Sequence, residues 1–226
     1  MKFSFNSIKN FDNHIELSVP NYIHLIELIK NISTYFIKEN TFVYDLGCST
    51  GTLIKYFSLQ NNNDNIKFVG IDTSKNLLPK DQQGNLIKMI GDHLSFECTD
   101  LKYYNFQKLS FATSIFTLQF LTIEDRINLL KKIKNSLIYE GALIVAEKIY
   151  MKTGLYQDIF TFAYYDFKKD SFDTKDILAK QMDLRSVMRP ITKEENEYIF
   201  SEIGFKFVEF FRSLNFVAWI LIKENK

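Results

Sequence analysis

The stretch DLGCSTG, Asp45 to Gly51, is the first in the chain whose residue types and spacing can do chemistry. Two glycines bracket Cys48, Ser49 and Thr50, so the backbone can turn tightly and come close to a ligand. A helical pattern follows directly, and the free amides of a helix start present a positive field to an anion. The nicotinamide fingerprint G-x-G-x-x-G fails, because Ser49 stands where its second glycine belongs. A phosphate loop fails too, since no Gly-Lys-Ser/Thr follows. What remains is a looser D-x-G-x-x-x-G turn, undecided by itself.

Further acids close later apolar runs. Asp72 lies ~20 residues past the turn, the distance at which an acid takes both hydroxyls of a ribose. It could equally cap a helix over TSKNLL, as could Thr73. Asp100, beside Leu101, ends another run and could read an adenine edge, with Asp92 as a rival and an ordinary turn as the plain alternative. Three strand-end acids behind a glycine turn together point to a cofactor site. Glu147, Lys148, Tyr165 and Asp166 are candidates for a general base, although Glu147 with Lys148 reads more simply as a buried ion pair. The two cysteines, Cys48 and Cys98, lack CxxC spacing, and the three histidines are scattered, so reduced thiols and no metal site are expected.

The elements that must position these residues follow from the apolar pattern. FVYDL (42–46), IKFVGI (66–71), LSFEC (94–98), LSFATSIF (109–116) and ALIVAEK (142–148) read as strands buried on both faces. Helical segments alternate with them, notably IEDRINLLKKIKNSLI (123–138), which implies a parallel sheet with right-handed crossovers. Residues 152–188 break the rhythm with two aromatic-rich helical patterns, the second closed by Pro190. A further helix runs from Thr192 as N-cap to Gly204 as stop. FKFVEFFR and NFVAWILIK, separated by Ser213 and Leu214, then form an antiparallel hairpin. With 226 residues, 46% hydrophobic, the chain fits a single domain, 1–226, carrying an N-terminal helical segment (1–40) and a helical insertion (150–190). A net charge of +1 advertises no nucleic-acid partner. The N-terminus lacks a signal-type apolar core and no run is long enough to span a membrane, so a cytoplasmic protein is expected. The whole order resembles an α/β, Rossmann-like class I methyltransferase fold: a seven-stranded, mostly parallel sheet with an antiparallel C-terminal strand.

At YDLGCSTG, FTLQFL (116–121), GALIVAEK and YDFKK (165–169), the chain closely resembles the carboxy-S-adenosyl-L-methionine synthases, from about Val19 to Lys223. SVPNY (18–22) and the terminal LNFVAWILIK share in the likeness. That family joins a carboxyl group derived from prephenate to the methyl carbon of S-adenosyl-L-methionine (SAM), and its product serves modification of a tRNA wobble uridine by a second enzyme. The resemblance implies that Tyr22, Gly47, Cys48 and Ser49 contact the methionine end of the cofactor, Asp72 and Thr73 the ribose, and Asp100 with Leu101 the adenine. It also implies a homodimer. Two positions depart. Ile115 stands where the family has a cofactor-contacting asparagine, and Gln181 where it has an arginine that pairs, from the neighbouring subunit, with the carboxylate of carboxy-SAM. Arg185, one helical turn on, is a possible replacement and otherwise a surface arginine.

Because a neutral Gln cannot replace a forked guanidinium, the expected activity is SAM-dependent methyl transfer to a small molecule. Tyr156, Phe160, Tyr164 and Tyr165 would cover the methyl with ring faces suited to a sulfonium. Synthesis of carboxy-SAM from prephenate is the alternative, and an inert SAM-binding scaffold a second one.

Overall fold

The computed structural model describes residues 10–61 and 63–224. The first nine residues of the expected N-terminal segment, and Asn62 in the NNNDN loop, lie outside the described residues. Helices α1 (Phe11–Ser18) and α2 (Tyr22–Phe36) occupy most of the rest of that segment.

Strands β1 (Phe42–Leu46), β2 (Lys67–Asp72), β4 (Leu94–Cys98), β5 (Leu109–Ile115) and β6 (Leu137–Lys148) form the parallel body of the sheet. Helix α3 (Thr52–Gln60) follows β1, and α4 (Ile123–Ser136) follows β5. Helices α5 (Gly154–Lys169), α6 (Thr174–Arg185) and α7 (Lys193–Ile203) follow β6. Strands β7 (Lys206–Ser213) and β8 (Phe216–Ile222) close the sheet, with β8 antiparallel to both β6 and β7.

With a strand β3 at Met89–Ile90, the described residues form a sheet of eight strands, not the expected seven, in the order β3-β4-β2-β1-β5-β6-β8-β7. The addition is β3 (Met89–Ile90), two exposed residues antiparallel to β4 and too short to give a periodic signal. Other differences are local. The hairpin turn is Leu214–Asn215, one residue later than expected, with Leu214 at φ 49. Strand β6 begins at Leu137 and carries an irregularity before Ala142, where Glu140 takes φ 56. Helix α6 ends at Arg185, ahead of Pro190. Thr192 and Gly204 bound α7 as expected: Thr192 and Glu195 form a capping box, and Gly204 takes φ 85.

Both faces of the sheet are covered, so each strand alternates between two cores rather than between core and water. Val43, Phe68, Phe111 and Ile144 face α2 and α3, where they meet Leu25, Ile29, Ile54 and Phe57. Their neighbours Tyr44, Val69, Ala112 and Val145 face α4 and α7, against Leu130, Ile133 and Phe200. Chain order reverses between β1 and β5, and in such a sheet ligands bind beyond the carboxyl ends at that switch.

Candidate active site

A cavity of about 380 Å³ opens at that switch point. All nine residues expected at the cofactor line it: Tyr22, Gly47, Cys48, Ser49, Asp72, Thr73, Asp100, Leu101 and Ile115. The sequence reasons for their convergence are visible. Gly47 takes φ 75, and a side chain there would collide with Thr117, whose hydroxyl donates to the Leu46 carbonyl at 2.8 Å. Asp72 organises the turn: the Ser49 amide donates to its Oδ2 at 2.9 Å and the Ser74 amide to its Oδ1 at 2.7 Å. No α-helix follows Asp72, so it ties two loops together instead of capping one. Asp100 accepts the Lys102 amide at 2.8 Å and so caps a single 3-10 turn while facing the cavity.

Several features fit a polar ligand at this turn. Ser49 is held at φ 52 and its Oγ is buried without a hydrogen-bond partner. A native protein rarely leaves such a group unpaired. Phe116, also lining the cavity, is held at φ 56, and strained backbone of this kind concentrates at functional sites. Asp45 is buried beneath the turn, accepting the Thr113 hydroxyl at 2.7 Å. Burial pushes its carboxyl up to about 7, against the pull of Thr113 and with a further push from Asp72. Above the turn, Thr50 and Thr52 donate to the two oxygens of Asp12 at 2.7 and 3.0 Å, which fastens α1 over the cavity.

The other end of the cavity is aromatic and basic. Phe116 and Phe216 stand 5.6 Å apart edge to face, and Phe216 and Tyr164 5.5 Å apart. The Tyr164 hydroxyl donates to the Ser18 carbonyl at 3.0 Å. Of the four rings expected to cover a methyl group, only Tyr164 lines the cavity. Tyr156 is exposed, Phe160 lies near Arg212, and Tyr165 packs edge-on against Phe162.

Three further site residues lie outside this chain's cavity, and one expected ion pair is corrected. Tyr165 does not line the cavity, and neither do Gln181 and Arg185, which the resemblance places at the neighbouring subunit's cofactor; in their own chain Lys180, Leu184 and Met188 line it. The reason is helical: residues three to four apart share a face, so the inward stripe at 180, 184 and 188 turns Arg185 to solvent and leaves Gln181 half-buried at its border. Glu147 and Lys148 are not an ion pair. Adjacent strand residues point to opposite faces, and Glu147 lies 3.9 Å from Arg126 while Lys148 lines the cavity. Burial pushes the Glu147 carboxyl up and the Arg126 guanidinium down, each opposed by the other's charge.

Sequence reasoning missed Gln119, Lys168, Lys180 and His14, all of which line the cavity. Gln119 sits within FTLQFL: its Oε1 accepts the Lys148 amide at 2.9 Å and its carbonyl accepts the Arg189 amide at 2.6 Å. Arg126 braces the same segment, donating to the carbonyls of Leu118 and Arg189 and to Asn196 Oδ1, each at 3.1 Å. The strand period would have separated Lys148 from Glu147. No pattern in the sequence brings α5 and α6 over the sheet.

Comparison with known proteins agrees with this geometry. A family described as a methyltransferase domain matches residues 43–141. The carboxy-S-adenosyl-L-methionine synthase of Staphylococcus epidermidis is 34% identical over 97% of this chain and 95% of its own. That of Desulfotalea psychrophila is 32% identical over 98% and 92%. Among solved structures, the plantazolicin methyltransferase BpumL, in complex with a triazolic desmethylPZN analogue and SAH, superposes with a TM-score of 0.65 at 15% identity, covering 96% of this chain and 89% of that one. The Bacillus YcgJ protein gives 0.63 at 11% identity over 91% and 100%. The fold is thus that of the class I methyltransferases, and the chain belongs to the carboxy-S-adenosyl-L-methionine synthase family.

Proposed function

We propose that this enzyme makes carboxy-SAM from SAM and a prephenate-class carboxylate donor, in preference to methylating a small molecule. Family membership carries SAM as the cofactor. The residues present fit it: the Gly47-Cys48-Ser49 turn, with the orphaned Ser49 hydroxyl, and Tyr22 suit the methionine end, Asp72 and Thr73 the ribose, and Asp100 and Leu101 the adenine. Ile115 contributes an apolar contact only. When bound, SAM supplies a sulfonium-activated methyl group.

One observation favours carboxyl transfer. The cavity's basic groups are Lys148, Lys168, Lys180 and His14, whereas the carboxylates and phenol considered as bases, Glu147, Tyr165 and Asp166, do not line it. A basic, aromatic compartment suits an anionic donor better than a neutral nucleophile that must lose a proton. The protein's part is to hold donor and methyl together and exclude water, which supplies much of the rate in a reaction between two bound substrates.

A homodimer in the cytoplasm belongs to the same reading, as does one domain over 1–226. Helices α5 and α6 expose Leu155, Ile159, Phe162, Leu178 and Met182 at helical spacing, an apolar stripe suited to a second copy. No described helix is long and apolar enough to cross a membrane. Incubation with SAM and prephenate, followed by mass spectrometry for carboxy-SAM, tests the proposal.

A further inference from the structure

The strand-end acids and the glycine turn account for one half of the cavity. The other half gathers cations, and for Lys148 and Lys168 the described residues supply no ion pair. Lys148 ends β6 and Lys168 lies on α5, and both line the wall, with Lys180 on α6 beside them. The Lys148 ammonium is 4.5 Å from the centre of the Tyr164 ring and 5.9 Å from that of Phe216. The Lys168 ammonium is 5.5 Å from the same Tyr164 ring and 5.1 Å from that of Phe172. Two cations therefore share one ring.

A ring face attracts an ammonium but does not neutralise it. Lys168 is 6% exposed, and among the described residues neither Lys168 nor Lys148 forms an ion pair. Lysines are almost never buried without a partner. Burial, and then the charge of Lys168, lowers both Lys148 and Lys180 to about 8, with Asp183 opposing the shift of Lys180. His14 adds no charge, since burial and the nearby Lys180 and Lys168 lower it to about 4. The acids on the cavity wall are engaged elsewhere: Asp12 by Thr50 and Thr52, Asp45 by Thr113, Asp72 by two amides, Asp100 by a third. Strand β6 lies two places from β1 and three from β2, which puts Lys148 roughly 10–14 Å from those strand-end acids at the spacing of a sheet.

The geometry points to Lys148 and Lys168, seated on the Tyr164 ring, as a carboxylate subsite that fixes the anionic group of the small-molecule ligand beside the methyl end of the cofactor. This rests on the reading that SAM fills the strand-end half. Both lysines come from the chain that holds the cavity, so the carboxylate is read without a guanidinium at position 181.

Calorimetric titration of the full chain with carboxy-SAM and with SAM tests the subsite. Wild type should prefer carboxy-SAM, and Lys168→Met and Lys148→Met should each weaken carboxy-SAM by roughly 10- to 100-fold, the scale of one charged hydrogen bond, without changing SAM affinity. Lys168→Arg should restore most of the preference. Lysine variants that keep the wild-type preference overturn the subsite. If a Met variant fails to fold, prephenate titrated into wild type saturated with S-adenosylhomocysteine gives an independent answer: saturable binding that weakens with salt is expected, and no binding overturns the subsite. The two titrations also separate a carboxylate on the cofactor from one on the donor. Failure of the reaction reading looks different. Lysine-dependent carboxylate binding with no carboxy-SAM formed refutes the reaction and keeps the subsite, whereas turnover with an unchanged carboxylate preference in both Met variants does the reverse.

Discussion

Replacing Gly47 by alanine should be costly out of proportion to one methyl group. The backbone there has φ 75, where a side chain costs about 1 kcal/mol. The added carbon would also fall on the Thr117 side chain, whose hydroxyl donates to the Leu46 carbonyl at 2.8 Å, with the Ile115 carbonyl at 3.3 Å as the alternative acceptor. Displacing that hydroxyl, whose one proton serves one carbonyl at a time, forfeits a hydrogen bond of about 1 kcal/mol, and crowding of the Thr117 methyl adds about 1 kcal/mol, for a total of about 3 kcal/mol. In a chain of this size that corresponds to a fall in Tm of roughly 6–12 °C. The account is specific because most of the cost passes through Thr117. In a Thr117→Ala background, where that bond and the crowded methyl are already gone, Gly47→Ala should cost only about 1–2 kcal/mol, the backbone cost with a residual contact to the remaining β carbon. Thermal unfolding of the two single variants and the double variant closes the cycle. Equal costs of Gly47→Ala in both backgrounds would refute the reasoning.

Asp45 makes stability depend on pH. Its carboxyl is raised to about 7 when folded, so the folded chain holds a proton that the unfolded chain has released, and stability should fall as pH rises between about 4 and 7. Asp45→Asn keeps an acceptor for Thr113 and removes the titration, so its Tm relative to wild type should rise from pH 5 to pH 7.5; a constant difference would contradict the assignment. Arg126 is fully buried and holds Leu118, Arg189 and Asn196, and Arg126→Met leaves Glu147 without its counter-charge. Denaturant unfolding should show a loss of about 3–5 kcal/mol. Phe162→Asp, at a position 66% exposed in the single chain, should give a folded monomer in analytical ultracentrifugation, and a dimer that persists would remove the α5–α6 stripe as the interface.

Much of the site was legible because it lies on elements with strong local signals. Strands β1, β2, β4 and β5 are short apolar runs, and their ends fix where Asp45, Asp72 and Asp100 can be. The glycine turn carries its own chemistry, and Gly47 and Ser49 do adopt the positive φ that the turn demands. Thr192 and Gly204 marked α7 for the same local reason. What stayed hidden depends on how elements meet. Lys168 and Lys180 reach the cavity only because α5 and α6 fold back over the carboxyl ends of the sheet, which no period in their own sequences encodes. The family likeness assigns Gln181 to the neighbouring subunit's cofactor, and in its own chain one residue of helical rotation gives the cavity to Lys180. Glu147 and Lys148 show the opposite failure: the alternation of a strand was available, and reading the two as a pair ignored it.

The central claim is that the basic compartment beside the glycine turn receives an anionic carboxyl donor. Purified enzyme incubated with SAM and prephenate, with the reaction followed by mass spectrometry, tests it most directly. The account predicts carboxy-SAM, formed in amounts that depend on both substrates and are strongly reduced by Lys168→Met. SAM left unchanged, or consumed only when some other small molecule becomes methylated, would contradict it.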